Sequence, residues 1–241
     1  MPEKKSIKSI EREDVIKNLA YDLVIFGFNG KQLKILILEY HNTGLFALPG
    51  GFVKINESLD SAVMRGLKER TGLDQIYLEQ FRTFGSLSRS NPVAMKRVLE
   101  ENGLDLKTHD WMLERFLTIA YYALINYDEV TPEPDELSDN INWYAINELP
   151  PLMMDHGEIV ETALLVLRDN LEKKLVSMKL LPSKFTMKQL QQVYEAILGE
   201  KLRRTTFQRR LLAMDVLERH EKLFQGKAHK APYLYSFKGK E

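Results

Sequence analysis

Glu69, which stands between Gly66 and Arg70, has the type and position of one carboxylate of a metal site carried by a helix, but the set of carboxylates is incomplete. Positions 66, 69 and 70 are three and four residues apart, so their side chains would project from one helix face. Carboxylates on such a face could bind Mg²⁺, which prefers hard oxygen ligands. This chain offers Gly66, Glu69 and Arg70 instead, and the Arg70 guanidinium, protonated at any relevant pH, would repel a cation.

The segment from Gly51 to Leu73 resembles the Nudix box, a conserved-spacing motif in which a glycine and a glutamate precede a glutamate-rich helix. Seven positions stand in register, namely Gly51, Glu57, Arg65, Leu67, Glu69, Gly72 and Leu73. Two positions depart, because Gly66 and Arg70 stand where the box has glutamates. Glycine costs about 1 kcal/mol against alanine inside a helix, so helix stability does not account for Gly66. We interpret the segment as a box that keeps its scaffold role without catalytic residues or a metal.

One alternative is that the chain is still an active hydrolase. A Mg²⁺-dependent hydrolase of ADP-ribose or another nucleoside-diphosphate derivative could recruit Glu39 or Asp60 in place of the lost ligands. That hypothesis predicts turnover that Glu69→Gln abolishes. A third hypothesis is a protein-binding adaptor that dimerises and binds neither DNA nor a small molecule.

Composition limits the class of protein. The chain has 241 residues and no cysteine, which excludes a disulfide framework and a thiolate zinc site. No apolar run reaches the roughly 18 residues of a membrane span, and the N-terminal residues lack the apolar core of a signal peptide. We therefore expect a cytoplasmic protein with no membrane partner.

The zero net charge conceals two unlike parts. Residues 182–241 contain 13 Lys and Arg against 6 Asp and Glu, whereas residues 1–181 contain 21 against 28. Basic charge is therefore concentrated at the C-terminal end, as in segments that bind nucleic acid or remain as solvated tails.

The elements that must position the box are predicted from hydrophobic periodicity and turn residues. Strands are expected near 20–28, 33–40, 76–84, 117–125 and 142–146, with a hairpin turn at 29–31 and a turn at 48–51. Helices are expected at 58–69 and 156–175, and an irregular, partly helical segment at 86–110.

The basic C-terminal part predicts a helix-turn-helix. The sequence from Thr186 to Gln189 is a capping box, followed by apolar residues at helical spacing and by Gly199 as a stop. A second capping box is predicted from Thr205 to Gln208. Its helix would bury Phe207, Leu211 and Met214 and expose Thr206, Arg209, Arg210 and Ala213, a face with small residues that could enter the major groove. Residues 218–224 and 233–237 would form a wing. A basic hairpin that only packs on another surface remains the alternative.

Together the two halves resemble the Nudix-related transcriptional regulators, through the segments 48–53, 69–73, 115–126 and 181–199. The resemblance implies an α+β chain, with a Nudix α/β/α sandwich at 1–175 for effector binding and dimerisation and a winged helix-turn-helix at 176–241. It is nearest to the Bacteroidetes branch linked to arabinose and other pentoses. It implies a homodimeric repressor on a pseudo-palindromic operator, without a cofactor.

The former catalytic pocket would then hold an effector, a pentose such as L-arabinose rather than ADP-ribose. Candidate effector-binding residues are Arg65, Glu69, Arg70, Arg82, Asp155 and His156, although Arg65 could brace the box helix and Asp155 with His156 could cap the closing helix. Candidate DNA-binding residues are Lys184, Lys188, Arg203, Arg204, Thr205, Thr206, Gln208, Arg209, Arg210, Lys227 and Lys230.

Overall fold

The computed structural model describes residues 10–72, 76–127, 130–174, 181–224 and 231–238, with side chains except at 173 and 174. The first part of the chain is a mixed sheet of seven strands. The strands are β1 (Val15–Phe28), β2 (Leu33–Tyr40), β3 (Phe46–Ala47), β4 (Gly50–Lys54), β5 (Leu78–Phe84), β6 (Leu117–Asn126) and β7 (Ser138–Ala145). All five predicted strands are present, and β3 and β4 were not predicted, because the Leu48 to Gly51 segment looks like a turn alone.

The strand β1 forms the centre of the sheet. It pairs antiparallel with β2 and β4 and parallel with β6. The main order is β3-β2-β1-β6-β5, and β7 pairs with the outer side of β2. Helices pack on both faces of the sheet over this central strand, so eight consecutive residues from Tyr21 to Phe28 are buried. The polar Asp22 within this run is therefore exceptional.

Helices cover both faces of the sheet. They are α1 (Leu59–Thr71), α2 (Pro92–Glu101), α3 (Leu106–His109), α4 (His156–Asp169) and α5 (Leu171–Lys174). Helix α1 begins at the Ser58 cap and ends at Gly72, whose φ of 70° suits glycine. The segment expected to be irregular contains α2, which Asn91 caps through the Ala94 amide. The predicted closing helix is divided, because it stops at the Asn170 cap before α5 begins.

The second part has the topology of a winged helix. It contains β8 (Phe185–Thr186), α6 (Met187–Leu198), α7 (Arg204–Ala213), β9 (Leu217–Lys222) and β10 (Tyr233–Phe237), and β10 lies between β8 and β9. The Thr186 capping box and the Gly199 stop are confirmed. The α+β class with a C-terminal winged helix is therefore confirmed.

The second predicted capping box is wrong. Helix α7 begins at Arg204 with Arg203 as its cap, and no side chain bonds to the free amides. The turn before α7 is fixed from α6, because Gln191 donates to the Leu202 carbonyl and the Leu202 amide donates to Glu195. These contacts start the helix early enough to place Thr205 inside it.

A single apolar cluster joins the two parts. It includes Ile159 and Leu167 from α4 and Val193 and Ile197 from α6. The predicted domain boundary at 175 and 176 lies outside the described residues. In the part of the chain that the structure describes, no helix is both long and apolar enough to cross a membrane.

Candidate functional site

A cavity of about 400 Å³ opens between the box helix α1, the central strand β1 and the segment around α2. This volume lies within the range of small-molecule pockets. Its walls combine aromatic side chains with charged ones. The charged residues of the lining are Asp22, Lys54, Arg65, Glu69, Arg70, Arg89, Glu114 and Asp135.

Tyr21 fills the space beside the first missing glutamate of the box. Its ring lies against α1 so closely that a Cβ atom at Gly66 would overlap the Tyr21 hydroxyl and lie 2.9 Å from two ring carbons. A Cβ at Gly51 would lie 2.6 Å from the same hydroxyl. Burial raises the pKa of Tyr21 to about 12, with Arg65 opposing the shift, so the ring is a neutral phenol. Gly66 is therefore explained by packing.

The retained box residues brace the scaffold. Arg65 donates through Nη2 to Glu57 Oε1 at 2.7 Å and to the Phe52 carbonyl at 3.1 Å. Glu57 Oε1 also accepts from the Lys54 amide at 2.8 Å. Arg65 lies 3.5 Å from Glu69 Oε2 as well. The loop and the helix of the box are thus held together by one guanidinium, which leaves Glu69 paired.

Arg70 is paired in the same manner, at the position of the last missing glutamate. It donates through Nη2 to Asp135 Oδ2 at 2.9 Å, and both side chains are nearly buried. Its Nε is buried and has no hydrogen-bond partner among the described residues. A buried donor without a partner costs about 1 to 3 kcal/mol, a cost that the pairing of Arg70 with Asp135 must offset.

These residues do not fit a divalent metal. Tyr21 occupies the space next to Gly66, and Glu69 and Arg70 are each committed to an opposite charge. Within the described ranges, no three acidic, histidine or cysteine side chains are grouped as metal ligands. Neither Glu39 nor Asp60, the replacement ligands considered, lines the cavity.

A second buried ion network forms the opposite wall. Arg89 donates to Asp22 Oδ2 at 2.8 Å and to the carboxylate of Asp155, which is the residue before α4. Asp155 occupies the N-cap position of α4 as the alternative had it, and its carbonyl accepts from the Ile159 amide at 3.0 Å, but its side chain makes no cap bond. The physical reason is that Arg89, a full charge, binds the carboxylate more strongly than a free amide does.

His156 is a buried neutral residue in this wall. Its Nδ1 accepts from the Leu48 amide at 3.0 Å, and its Nε2 lies 3.9 Å from Asp22. Burial lowers the pKa of His156, with Asp22 opposing the shift. The imidazole thereby connects the turn before β4 to the first turn of α4.

The predicted effector residues are only partly brought together. The cavity is lined by Arg65, Glu69, Arg70 and His156, and Asp155 lies behind Arg89. Arg82 does not line this cavity, because it is exposed on β5, 3.8 Å from Glu158 and over the Phe84 ring. Helical periodicity relates neighbours in sequence and cannot place a strand residue relative to a pocket.

Sequence reasoning missed four residues of the site. They are Tyr21, Asp22, Arg89 and Asp135. A carboxylate inside an apolar strand was a usable signal for Asp22, since a buried charge requires a partner. No local pattern singles out Arg89 or Asp135.

The nucleic-acid candidates lie mainly on α7 and around it. Helix α7 buries Phe207 and Leu211 and half-buries Met214. Arg209 is two residues from Phe207 and from Leu211, which places it on the opposite, exposed side. Arg210 lies on the flank and pairs with Glu172 of α5. The exposed candidates are Lys184, Lys188, Arg203, Arg204, Thr205, Thr206, Arg209 and Arg210.

Other candidates differ in position. Gln208 is half-buried, and Lys184 pairs with Glu221 at 3.0 Å. Strands β9 and β10 pair as the predicted wing. Lys227 and Lys230, expected at its tip, lie outside the described residues.

Family models match both parts of the chain. The model described as the NUDIX domain matches residues 17–163, more than half of the chain. The chain belongs to the Nudix family. The model described as the NrtR DNA-binding winged helix domain matches residues 177–237. This Nudix chain therefore carries a DNA-binding winged helix domain after its Nudix domain.

Individual relatives include both regulators and a hydrolase. The ADPR responsive transcriptional repressor NtrR of Acinetobacter baylyi is 28% identical over 207 residues, covering 83% of this chain and 74% of the relative. Crystal structures of Shewanella oneidensis NrtR, alone and with a 27mer DNA, are 29% and 28% identical, with TM-scores of 0.65 and 0.64. Each covers 92% of this chain and 94% of the structure. An ADP-ribose pyrophosphatase of Methanocaldococcus jannaschii is 27% identical, over 65% of this chain and 82% of the relative.

Proposed function

We propose that this Nudix chain is a transcriptional repressor whose binding to operator DNA is controlled by a small molecule in the box cavity. The observation that carries the proposal is the position of Arg209, exposed on the face of α7 opposite Phe207 and Leu211. A free guanidinium on such a face can make bidentate contacts to guanine edges in the major groove. The DNA complex of Shewanella oneidensis NrtR supports the same use of this domain.

DNA binding is tested with a duplex that the wild-type protein selects from a randomised pool. We expect binding that weakens steeply with salt, because phosphate contacts release counterions. The double variant Arg209→Ala with Arg210→Ala should nearly abolish it, whereas Arg97→Ala, an exposed arginine of α2, serves as the control. If the double variant bound the duplex with wild-type affinity, α7 would not be the helix that contacts the bases.

We propose a homodimer as the DNA-binding form. Two-fold symmetry would present two copies of α7 to two half-sites spaced by whole turns of the duplex. Light scattering at the concentrations used for DNA binding tests this. A monomer with full operator affinity would contradict it.

Two effectors are considered. The name of the Acinetobacter baylyi relative supports ADP-ribose, which we propose first. A neutral pentose such as L-arabinose, the effector that the sequence resemblance implied, is the alternative, and the lining has the zero charge balance that a neutral ligand needs, with four carboxylates against four Lys and Arg side chains. Lys54 and the arginines of the lining could bind a diphosphate, whereas the rings of Phe52 and Phe116 offer an apolar face to a sugar.

Thermal unfolding with each ligand separates them. A ligand at 100 times its Kd stabilises the folded protein by about 2.7 kcal/mol. We expect one of L-arabinose and ADP-ribose to raise the melting temperature and to weaken DNA binding in the same concentration range. A shift by neither would exclude both effectors.

Hydrolysis is the competing function, supported by the pyrophosphatase relative. We propose that the chain does not hydrolyse ADP-ribose, because its box offers no fitting metal site. Phosphate-coupled assays with Mg²⁺ should show no turnover above a boiled control. Turnover that Glu69→Gln removes would establish the enzyme instead.

A further inference from the structure

Helix α4 touches both the cavity wall and the DNA-binding domain. Its first residue, His156, follows Asp155 in the wall, and its last turn carries Arg168. Fourteen residues of α-helix span about 21 Å, and a packed helix is stiff over this distance. The two ends of α4 therefore lie at the cavity wall and at the DNA-binding domain.

At the cavity end, Arg89 links α4 to the ligand space. It lines the cavity, and its guanidinium binds Asp22 on β1 and Asp155 before α4 simultaneously. All three side chains are nearly buried, where electrostatic interactions are strong. A ligand oxygen that binds the Arg89 guanidinium would compete with Asp155 and alter how the start of α4 is held.

At the other end, Arg168 binds the helix-turn-helix directly. Its Nε donates to the Ile197 carbonyl at 2.9 Å, in the last turn of α6. The Arg168 guanidinium also lies beside Gly199, where a Cβ atom would be 3.3 Å from it. The turn after Gly199 leads into α7, so a shift of α4 changes where α7 is presented.

We propose that α4 transmits effector binding to the DNA-binding domain, with Arg89 and Asp155 as its input and Arg168 as its output. This rests on the proposed ligand-responsive repressor and specifies its route. A ligand shifts DNA affinity only if it binds the two arrangements of α4 differently, and competition between a ligand oxygen and Asp155 for Arg89 supplies that difference.

The test is Arg168→Gln, which removes the output contact and leaves the cavity intact. Fluorescence anisotropy measures the Kd for the selected duplex, with and without saturating ADP-ribose and, separately, L-arabinose. The response is the ratio of the two Kd values. We expect Arg168→Gln to bind probe and duplex within about threefold of wild type, with its response reduced at least threefold. Arg97→Gln is the matched surface control and should keep the full response.

Asp155→Asn tests the input end of α4. It keeps the proposal testable if Arg168→Gln does not fold. It keeps a hydrogen-bond acceptor for Arg89 and removes the charge, so we expect a reduced response here also. The two substitutions together should reduce the response no more than the stronger one alone, because both interrupt one route.

The outcomes separate the route from the function. A wild-type response in Arg168→Gln would overturn transmission through α4 and leave the repressor proposal standing. Fully additive losses in the double variant would also overturn a single route. If neither probe changes the duplex affinity of the wild-type protein, the proposed ligand response fails, and transmission by α4 fails with it.

Discussion

Arginines serve opposite purposes in the cavity and on α7. In the cavity, Arg65, Arg70 and Arg89 are each bound to carboxylates and are partly or wholly buried. On α7 and the turn before it, Arg203, Arg204 and Arg209 are exposed and, among the described residues, form no ion pair with a carboxylate. A buried guanidinium must be paired to offset its desolvation, whereas an exposed one keeps its charge available for phosphate and base edges.

The comparison teaches that residue type alone does not assign function. The same guanidinium holds a scaffold together where carboxylates neutralise it, so that a ligand must compete for it, and it is open to DNA where no carboxylate does. Arg210 stands between the two cases, because it lies on the recognition helix but pairs with Glu172.

The largest expected effect concerns the buried arginines that are paired with carboxylates. Arg70→Ala should destabilise the fold by about 3 to 5 kcal/mol, because it leaves Asp135 buried without a counter-charge. Urea unfolding at pH 7.5 measures this, and Arg204→Ala is the exposed control, expected to stay within about 0.5 kcal/mol. Adding Asp135→Asn to Arg70→Ala should restore part of the loss. A cost below 1 kcal/mol would contradict the structural role.

The next largest effect concerns the exposed arginines of α7. Arg209→Ala should weaken binding to the selected duplex roughly ten- to hundredfold, as expected for a lost bidentate base contact. Arg210→Ala should weaken it less, since that guanidinium is already shared with Glu172. Anisotropy titrations at matched salt provide the comparison. A larger loss at Arg210 than at Arg209 would reverse the assignment.

A third prediction concerns Gly66, which stands where the Nudix box has a glutamate, and the Tyr21 ring that fills the space beside it. Gly66→Ala should cost about 1 to 3 kcal/mol, because its methyl group overlaps Tyr21. In a Tyr21→Ala background the same change should cost nothing or stabilise, since alanine is the better helix former. An equal cost in both backgrounds, measured by urea unfolding, would show that Tyr21 is not the reason for Gly66.

The smallest effect is a dependence on pH. Burial lowers the pKa of His156 below its ordinary 6.5, so the unfolded chain binds more protons than the folded one below that pH. Stability should therefore be complete above pH 6.5 and fall as the pH decreases below it. His156→Asn, which can still accept from the Leu48 amide, should lessen this decline between pH 7.5 and 5.5. An unchanged decline in His156→Asn would assign it to other groups.

Local sequence predicted what depends on local physics. The Thr186 cap, the Gly199 stop and the strand at 33–40 follow from backbone hydrogen bonding and from the period of apolar residues. The predicted start of α7 was wrong, because side chains of α6 determine the conformation of the turn before it.

The sequence by itself determined that the box lacks two of its glutamates and that the basic charge lies at the C-terminal end. Only the tertiary structure decided why Gly66 is required and which arginines are neutralised by carboxylates. It also decided that α4 lies between the cavity and the DNA-binding domain. Tyr21, Arg89 and Asp135 are far from the box in sequence, and nothing but folding brings their side chains to it. Pairing of buried charges is a three-dimensional condition, and no spacing along the chain encodes it.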